Sequence, residues 1–183
     1  MHRFSFSNGG KNTRYMGIIN ISPDSFYEKS RCFSIEDVMK LAEKMVHDGV
    51  DFIDLGAESS RPGSQPISEE EELGKLIPVI SYLVKRINVP ISVDTYKPII
   101  AEEALLAGAK IINDITGMQT YPKMAEVISR YQAAAIAMHM QGTPMTMQDN
   151  PSYENVVEEV KLFLTNSIKI CEAAEIDPDQ IAI

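Results

Sequence analysis

Five short apolar runs in the sequence end in polar side chains of the kinds that bind ligands. These side chains are Asn20, Asp54 with Glu58 just beyond it, Asp94, Asn113 with Asp114, and His139. Carboxylates and amides can pair with the polar edge of a ligand, and a histidine can also move a proton. In α/β proteins ligands bind where the strands end, so these residues form a candidate site.

The connection Gly56–Ile67 adds chemistry suited to an anion. It begins GAESSRPGSQP and is one of three long connections, with Ser22–Phe33 and Met140–Pro151. Connections of this type usually have about 2–6 residues, and longer ones tend to be functional. Arg61 offers a fork of donors that suits a phosphate, with Ser59 and Ser60 as further donors. The same residue types also occur in ordinary turns, which leaves a structural interpretation open.

Parallel strands covered by helices are predicted, because most of the apolar runs are nearly continuous rather than alternating. The predicted strands are Tyr15–Ile21, Val50–Leu55, Ile91–Asp94, Lys110–Ile115, Ala133–His139 and Gln180–Ile183.

Amphipathic stretches between the runs predict five helices. Ser34 and Ser68 resemble N-caps, each followed three residues later by an acidic residue. The acidic run Glu69–Glu72 suits the first turn of the second helix through the macrodipole. We expect Pro78 to kink that helix or end it early.

The later helices have equally clear ends. Pro98 and Gly108 bound the third helix, and the fourth runs from about Pro122 to Arg130. Cys171 falls on the apolar face of the fifth and is expected to be a packed thiol. The other residues of that face are Val156, Val157, Val160, Phe163, Leu164 and Ile168.

This alternation predicts one domain over residues 1–183, either a doubly wound sheet or a (β/α)₈ barrel. A barrel brings all its strand ends to one mouth, whereas an open sheet brings together only those near its switch point. Five consecutive polar endings therefore favour the barrel. The sequence contains neither G-x-G-x-x-G after the first strand nor a Walker A motif, which argues against nucleotide binding.

Composition excludes several classes of partner. The 183 residues carry a net charge of −9, with no tryptophan and no basic stripe, so we expect neither nucleic acid nor membrane as a partner. No apolar run approaches the length of about 20 residues that spans a bilayer, and the N-terminus lacks a signal-peptide pattern. Cys32 and Cys171 are too few for a disulfide framework, which indicates the cytoplasm.

Five motifs, in order, resemble the signatures of the dihydropteroate synthase family. They are MGIINISPDSF at 16–26, DLGAESSRPG at 54–63, ISVDTYK at 91–97, IINDI at 111–115 and MHMQGTP at 138–144. The resemblance implies a (β/α)₈ barrel of which this chain contains about β1–β6. It also implies a transferase that joins 6-hydroxymethyl-7,8-dihydropterin pyrophosphate to p-aminobenzoate, releasing pyrophosphate and giving 7,8-dihydropteroate in folate biosynthesis.

The resemblance also implies roles for individual residues. Asn20 would hold a Mg²⁺ cofactor on the pyrophosphate, and Ser60 and Arg61 would contact the phosphates. Glu28 would stabilise positive charge that spreads into the ring, which makes Asn20, Glu28 and Arg61 the expected catalytic residues. The remaining expected substrate contacts are Asp94 and Asn113 on the pterin edge, Met138 on its face, and Phe26 and Pro62 at p-aminobenzoate.

Some positions depart from the family pattern. Glu28 lacks the Gly-Gly that often follows this carboxylate, and Ala57 and Ser60 replace Gly and Thr. The family continues beyond Ile183 with further pterin and anion residues, so we expect a fragment that is inactive alone and a full-length homodimer.

Other interpretations remain open. A pterin-dependent methyltransferase that acts on a corrinoid would share the contacts of Asp94 and Asn113, and a degenerate module would only bind. Asn20 could cap a strand, Asp94 could be a buried structural carboxylate, and Asp54 is expected to lie behind the ligand-contacting residues. His139 fits a hydrogen-bonded structural histidine better than a proton-transfer group.

Overall fold

Strands and helices alternate throughout the computed structural model, which describes residues 4–6, 13–21, 34–58, 66–143 and 145–183. The strands are β1 Met16–Asn20, β2 Phe52–Gly56, β3 Ile91–Asp94, β4 Ile111–Asp114, β5 Ala134–Ala137 and β6 Ile181–Ala182. The helices are α1 Ile35–His47, α2 Glu69–Leu83, α3 Pro98–Ala107, α4 Lys123–Arg130 and α5 Val156–Ala173, and a 3₁₀ turn, Pro178–Gln180, precedes β6. The predicted elements are all present.

The strand order shows which of the two architectures is adopted. All six strands are parallel and lie side by side in the order β1-β2-β3-β4-β5-β6. A doubly wound sheet would reverse its order at a switch point, whereas a β/α barrel adds each strand next to the preceding one. The barrel prediction is therefore confirmed for the described strands.

Side chains alternate between the two faces of the sheet. One face packs against the helices in a large apolar core, to which Ile19, Leu55, Val93 and Ile112 contribute fully buried side chains. The alternate residues point to the barrel interior. At the amino ends of the strands the interior is apolar, and it contains Phe52, Ile111, Ala134, Phe4 and Phe6.

Phe4 and Phe6 pack over the amino ends of the strands. Their rings lie edge-to-face, with centroids 5.3 Å apart, and each packs on Phe52 at 5.8 and 6.2 Å. The Phe6 amide donates to the Asp179 carbonyl at 2.8 Å, which fixes the N-terminal segment beside β6. Neither residue was predicted from the sequence to have a structural role.

The helix ends follow the predicted signals with one exception. Ser34 Oγ accepts from the Asp37 amide at 3.1 Å, and Ser68 Oγ accepts from the Glu71 amide at 3.2 Å. Gly108 ends α3 in the left-handed region at φ 116°. The prediction of an early end to α2 at Pro78 was wrong, since the helix continues to Leu83. Pro78 is exposed, so the carbonyl that it leaves unpaired can bind water.

Helix α5 is covered over only part of its predicted apolar face. Ser167 and Cys171 are fully buried, but Val156 and Val157 are 52% and 55% exposed. The prediction of a continuous buried face was therefore wrong for the first turn, which no described residue covers. Within the described ranges, no helix combines the length and the hydrophobicity that a membrane crossing requires.

Cys171 is expected to be chemically inert in the folded protein. Burial raises the pKa of its thiol to about 11, so little reactive thiolate forms near neutral pH. We expect a maleimide to modify Cys171 roughly 100-fold more slowly in the native full-length protein than in urea at the same pH. Mass spectrometry of the tryptic peptide measures this site separately from Cys32. Equal rates in the two conditions would contradict a packed thiol.

Candidate functional site

The pairing of the strands places the first candidate residues in one row. Asn20 pairs with Gly56, Gly56 with Asp94, and Asp94 with Asn113, across four neighbouring strands. All four occupy the carboxyl ends of their strands. Because their chain neighbours face the helices, these residues face the interior. Three polar residues predicted from the sequence are thus brought together at the mouth of the barrel.

Gly56 leaves a gap in the middle of this row. A Cβ atom added there would lie 3.3 Å from Asn20 Oδ1 and 3.6 Å from Asp94 Oδ2. The Asn20 amide oxygen and the Asp94 carboxylate therefore approach each other over a residue with no side chain. This arrangement lets a ligand reach both oxygens at once.

A second polar layer lies one step deeper in the barrel. Asp54 is 2% exposed, and its Oδ2 accepts from Asn113 Nδ2 at 3.3 Å. Among the described residues, Asp54 Oδ1 and Ser92 Oγ make no hydrogen bond of standard geometry, although Ser92 lies beside the carboxylate. Burial raises the pKa of Asp54, and Ser92 and Asn113 oppose that rise. The Asp54 contact orients the Asn113 amide.

Asp94 is the most electrostatically perturbed member of the row. It keeps some accessible surface because it lines the mouth, yet burial of its carboxyl group raises its pKa well above the usual value. The negative charges of Asp54, Asp114, Glu72 and Glu58 raise it further. Among the described residues no donor compensates this carboxylate, and a ligand with two adjacent N–H donors would do so.

The predicted site residues near the ends of β4 and β5 differ from one another in exposure and contacts. Met138 follows β5 directly and is 38% exposed, so its thioether is accessible. His139 packs on the rings of Phe163, at 4.8 Å between centroids, and Tyr153, at 5.9 Å.

Asp114 was grouped with the strand-end site residues, but its carboxylate accepts from the amides of Thr116 and Met118 and is fully buried. Asp114 therefore stabilises the turn after β4.

Several predicted site residues lie outside the described part of the chain. Glu28 and Phe26 fall in residues 22–33, and Ser60, Arg61 and Pro62 fall in residues 59–65. Their expected roles stay predictions.

A buried ion-pair cluster beside the mouth was missed by the sequence analysis. Lys97 Nζ donates to Glu58 Oε2 at 2.6 Å and to Glu72 Oε2 at 2.7 Å. Glu72 was predicted only as part of the acidic first turn of α2, where the macrodipole favours negative charge, but it is 1% exposed and ion-paired. The partners of Lys97 lie on the preceding connection and on helix α2, so no local sequence pattern indicated that this lysine is paired.

The pKa shifts in this cluster reflect burial and pairing in opposition. Burial raises the pKa of Glu72, and the Lys97 ammonium only partly reverses the effect. Burial lowers the pKa of Lys97, but its hydrogen bonds to Glu58 and Glu72 outweigh this, so the net shift is upward. Lys97 therefore remains positively charged throughout the physiological pH range.

The donor set at the mouth suits a magnesium ion that substrate phosphates help to bind. Asn20 Oδ1 is a hard oxygen donor beside the Gly56 gap. No group of three or more His, Cys, Asp or Glu side chains arranged for a metal occurs in the described ranges. Mg²⁺ commonly takes few protein ligands and completes its shell with phosphate and water, so the arrangement fits this ion.

Known proteins share both the sequence and the fold. A family model described as "Pterin binding enzyme" matches residues 16–183. The chain is 39% identical to the dihydropteroate synthase of Bacillus subtilis over 93% of its own length, and 40% identical to that of Escherichia coli K12 over 92%. It spans 58% and 59% of those two relatives, respectively.

Solved structures agree with the sequence matches. The Yersinia pestis dihydropteroate synthase, determined as a sulfonamide drug complex, superposes with a TM-score of 0.88 at 34% identity. That match covers 99% of this chain and 66% of the other. The Burkholderia cenocepacia enzyme, complexed with 7,8-dihydropteroate, gives a TM-score of 0.79 at 37% identity, covering 93% and 57%.

Proposed function

Because this chain belongs to the family of pterin-binding enzymes, we propose that the protein is a dihydropteroate synthase, a transferase of folate biosynthesis. It would join 6-hydroxymethyl-7,8-dihydropterin pyrophosphate to p-aminobenzoate and release pyrophosphate. The proposal is supported by the names of the similar proteins and by the Burkholderia cenocepacia structure, which contains the product of this reaction.

The observation that carries the proposal is the pairing of Asp94 with Asn113 at the mouth of the barrel. The aminopyrimidine edge of a pterin presents two adjacent N–H donors, and the two oxygens of one carboxylate can accept hydrogen bonds from both. Asn113, oriented by Asp54, can pair with the neighbouring atoms of the same edge. Met138, accessible at the end of β5, would cover a face of the ring.

The other end of the substrate would be bound through its phosphates. Asn20 would hold a Mg²⁺ ion, which when bound neutralises part of the charge on the leaving pyrophosphate. Arg61 and Ser60 would donate to phosphate oxygens, where negative charge develops in the transition state. Gly56 keeps the space between Asn20 and Asp94 open for the substrate.

The proposed reaction is a displacement at the methylene carbon of the pterin. The p-aminobenzoate amine forms the new C–N bond as the C–O bond to pyrophosphate breaks, and the amine releases one proton to solvent. Positive charge that spreads into the dihydropterin ring would be stabilised by Glu28. Phe26 and Pro62 would form the p-aminobenzoate pocket and exclude water from the reacting atoms.

The cellular setting is also proposed. The acidic net charge of −9 supports small-molecule substrates rather than nucleic acid or anionic membrane as partners. We place the full-length protein in the cytoplasm as a homodimer.

Pyrophosphate release tests the proposed function. We expect the full-length gene product to release pyrophosphate from the pterin pyrophosphate only when p-aminobenzoate and Mg²⁺ are both present, and one dihydropteroate to form per pyrophosphate. A coupled phosphate assay with chromatography of the pterin product measures both quantities. A well-folded protein that releases none contradicts the proposal, and methyl transfer to a corrinoid by such a protein would favour the methyltransferase alternative.

A further inference from the structure

A buried carboxylate in the barrel interior faces the amide group of Asn113. The strand register places Asp54 level with Ser92 and Ile111, two residues deeper than Asn113. Asp54 lies on β2 and Asn113 on β4, with β3 between them. Because the intervening side chain of β3, Ser92, is small, Asp54 Oδ2 can reach across it and accept from Asn113 Nδ2 at 3.3 Å.

The chemistry of this contact determines which way the Asn113 amide is turned. An ionised carboxylate only accepts hydrogen bonds, so it attracts the amide nitrogen and repels the amide oxygen. Asn113 in turn favours the ionised form of Asp54, because its hydrogen bond opposes the rise in pKa that burial causes. With Nδ2 turned to the deeper layer, Oδ1 lies on the side of the amide group turned away from Asp54. Among the described residues, none donates to this oxygen.

Asn113 Oδ1 extends the row of acceptors at the mouth of the barrel. Asp94 pairs with Asn113 in the sheet, and no donor among the described residues compensates its carboxylate. A ligand edge with consecutive N–H donors can therefore bind both side chains at once. The reverse orientation of the amide would present its NH₂ group to those donors and oppose them. The orientation of this one amide thus determines which ligands the mouth accepts.

We propose that Asp54 is a positioning residue that fixes the Asn113 amide for recognition of the pterin edge. It acts through Asn113 and does not contact the ligand, since it is only 2% exposed. This inference rests on the pterin binding of the proposed function. A purely electrostatic role predicts the opposite effect, because loss of the Asp54 charge would favour the ionised Asp94 carboxylate and strengthen binding.

A double-mutant cycle in the full-length protein tests the inference. We expect Asp54→Ala to weaken the binding of 6-hydroxymethyl-7,8-dihydropterin about 10-fold, because an amide that is free to rotate loses its hydrogen bond to the ligand. In the Asn113→Ala background the same change should alter the affinity by less than about twofold, because the residue through which Asp54 acts is gone. Isothermal titration calorimetry under argon measures the four affinities.

Two further variants separate amide orientation from general damage to the barrel. Asp54→Asn should recover the affinity to within about threefold of the unaltered protein, because an amide oxygen also accepts from Asn113 Nδ2 but permits the reverse pairing as well. Ser92→Ala is the matched control. It removes a buried polar atom of the same layer that makes no hydrogen bond of standard geometry to a described residue, so it should change the affinity by less than about twofold.

The outcomes separate the inference from the proposed function. Losses that multiply in the double variant, an unchanged affinity in Asp54→Ala, or an equal loss in Ser92→Ala would overturn the positioning role. If Asp54→Ala does not fold, Asp54→Asn replaces it in the cycle, and a loss that persists without Asn113 overturns the inference. An unaltered protein that binds the pterin but releases no pyrophosphate overturns the proposed function, while the cycle still decides the role of Asp54. An unaltered protein that does not bind the pterin overturns both.

Discussion

Asp94→Asn is expected to abolish most of the proposed synthase activity of the full-length protein while making the protein more stable. The activity loss follows from the ligand contact: a carboxylate accepts two N–H donors, whereas an amide presents one acceptor and one donor. A hydrogen bond to a charged group contributes about 1.5–3 kcal/mol, so we expect kcat/KM to fall about 10- to 100-fold.

The stability gain follows from the raised pKa of Asp94. The folded protein binds the proton of this carboxyl group more tightly than the unfolded chain does. The energetic penalty of its charge is therefore absent below the unfolded pKa, near 4, and grows as the pH rises towards the folded pKa. An asparagine carries no such charge. We expect a gain in unfolding free energy of about 1 kcal/mol at pH 8 that shrinks as the pH is lowered towards 4.

Urea unfolding at pH 8 and at successively lower pH, together with steady-state rates, measures both effects. Glu103→Gln is the matched control, because Glu103 is an exposed carboxylate on α3 and its change should affect neither quantity. A destabilised Asp94→Asn variant, or one with full activity, would contradict the assignment of Asp94 as a ligand-binding carboxylate held at an energetic cost.

Gly117→Ala is expected to destabilise the protein by about 2–4 kcal/mol. Gly117 lies in the turn after β4 with φ +59°, a conformation that an alanine adopts with strain. Its Cβ would also lie 2.6 Å from Ser167 Oγ, 2.8 Å from Phe163 Cε1 and 3.0 Å from the Met138 carbonyl oxygen. The substitution would push α5 away from the turn that Asp114 stabilises.

Two other glycines separate strain from crowding. Gly49→Ala meets the same kind of strain, at φ +96°, but no atom lies within 4 Å, so a loss of only about 1 kcal/mol is expected. Gly74→Ala adds a side chain to an open position of helix α2 and should stabilise by about 0.5–1 kcal/mol. The order of the three stabilities is measured by the urea concentration at the midpoint of unfolding, provided that the dependence of the unfolding free energy on urea concentration is the same in each variant. Equal losses at Gly117 and Gly49 would show that α5 does not press on this turn.

The fold was largely predictable because its signals are local. Continuous apolar runs indicated buried parallel strands, and serines at helix starts capped them as expected. The packing of Phe4 and Phe6 over the amino ends of the strands was not predictable, because it depends on contacts with Phe52 that are distant in sequence. Pro78 misled the prediction, since whether a proline ends a helix depends on the solvent around it.

The positions of three polar residues at the mouth were predictable, but their electrostatics were not. The polar endings of the apolar runs identified Asn20, Asp94 and Asn113, because strand ends meet at one mouth in a barrel. The same rule included Asp114, which faces the other way because it is the chain neighbour of Asn113. The Lys97–Glu72 pair joins residues 25 positions apart on different elements, so no local pattern could indicate it.

The alternation along β2, β3 and β4 also bears on how such a barrel can diverge during evolution. Leu55, Val93 and Ile112 are fully buried against the helices, and each is the chain neighbour of a residue at the mouth. Mutations at those three positions reduce fitness through loss of packing, whichever substrate is used. Mutations at the neighbouring positions alter the ligand contacts and leave that packing in place. A lineage can therefore acquire new ligand preferences by small steps at the mouth without rebuilding its core.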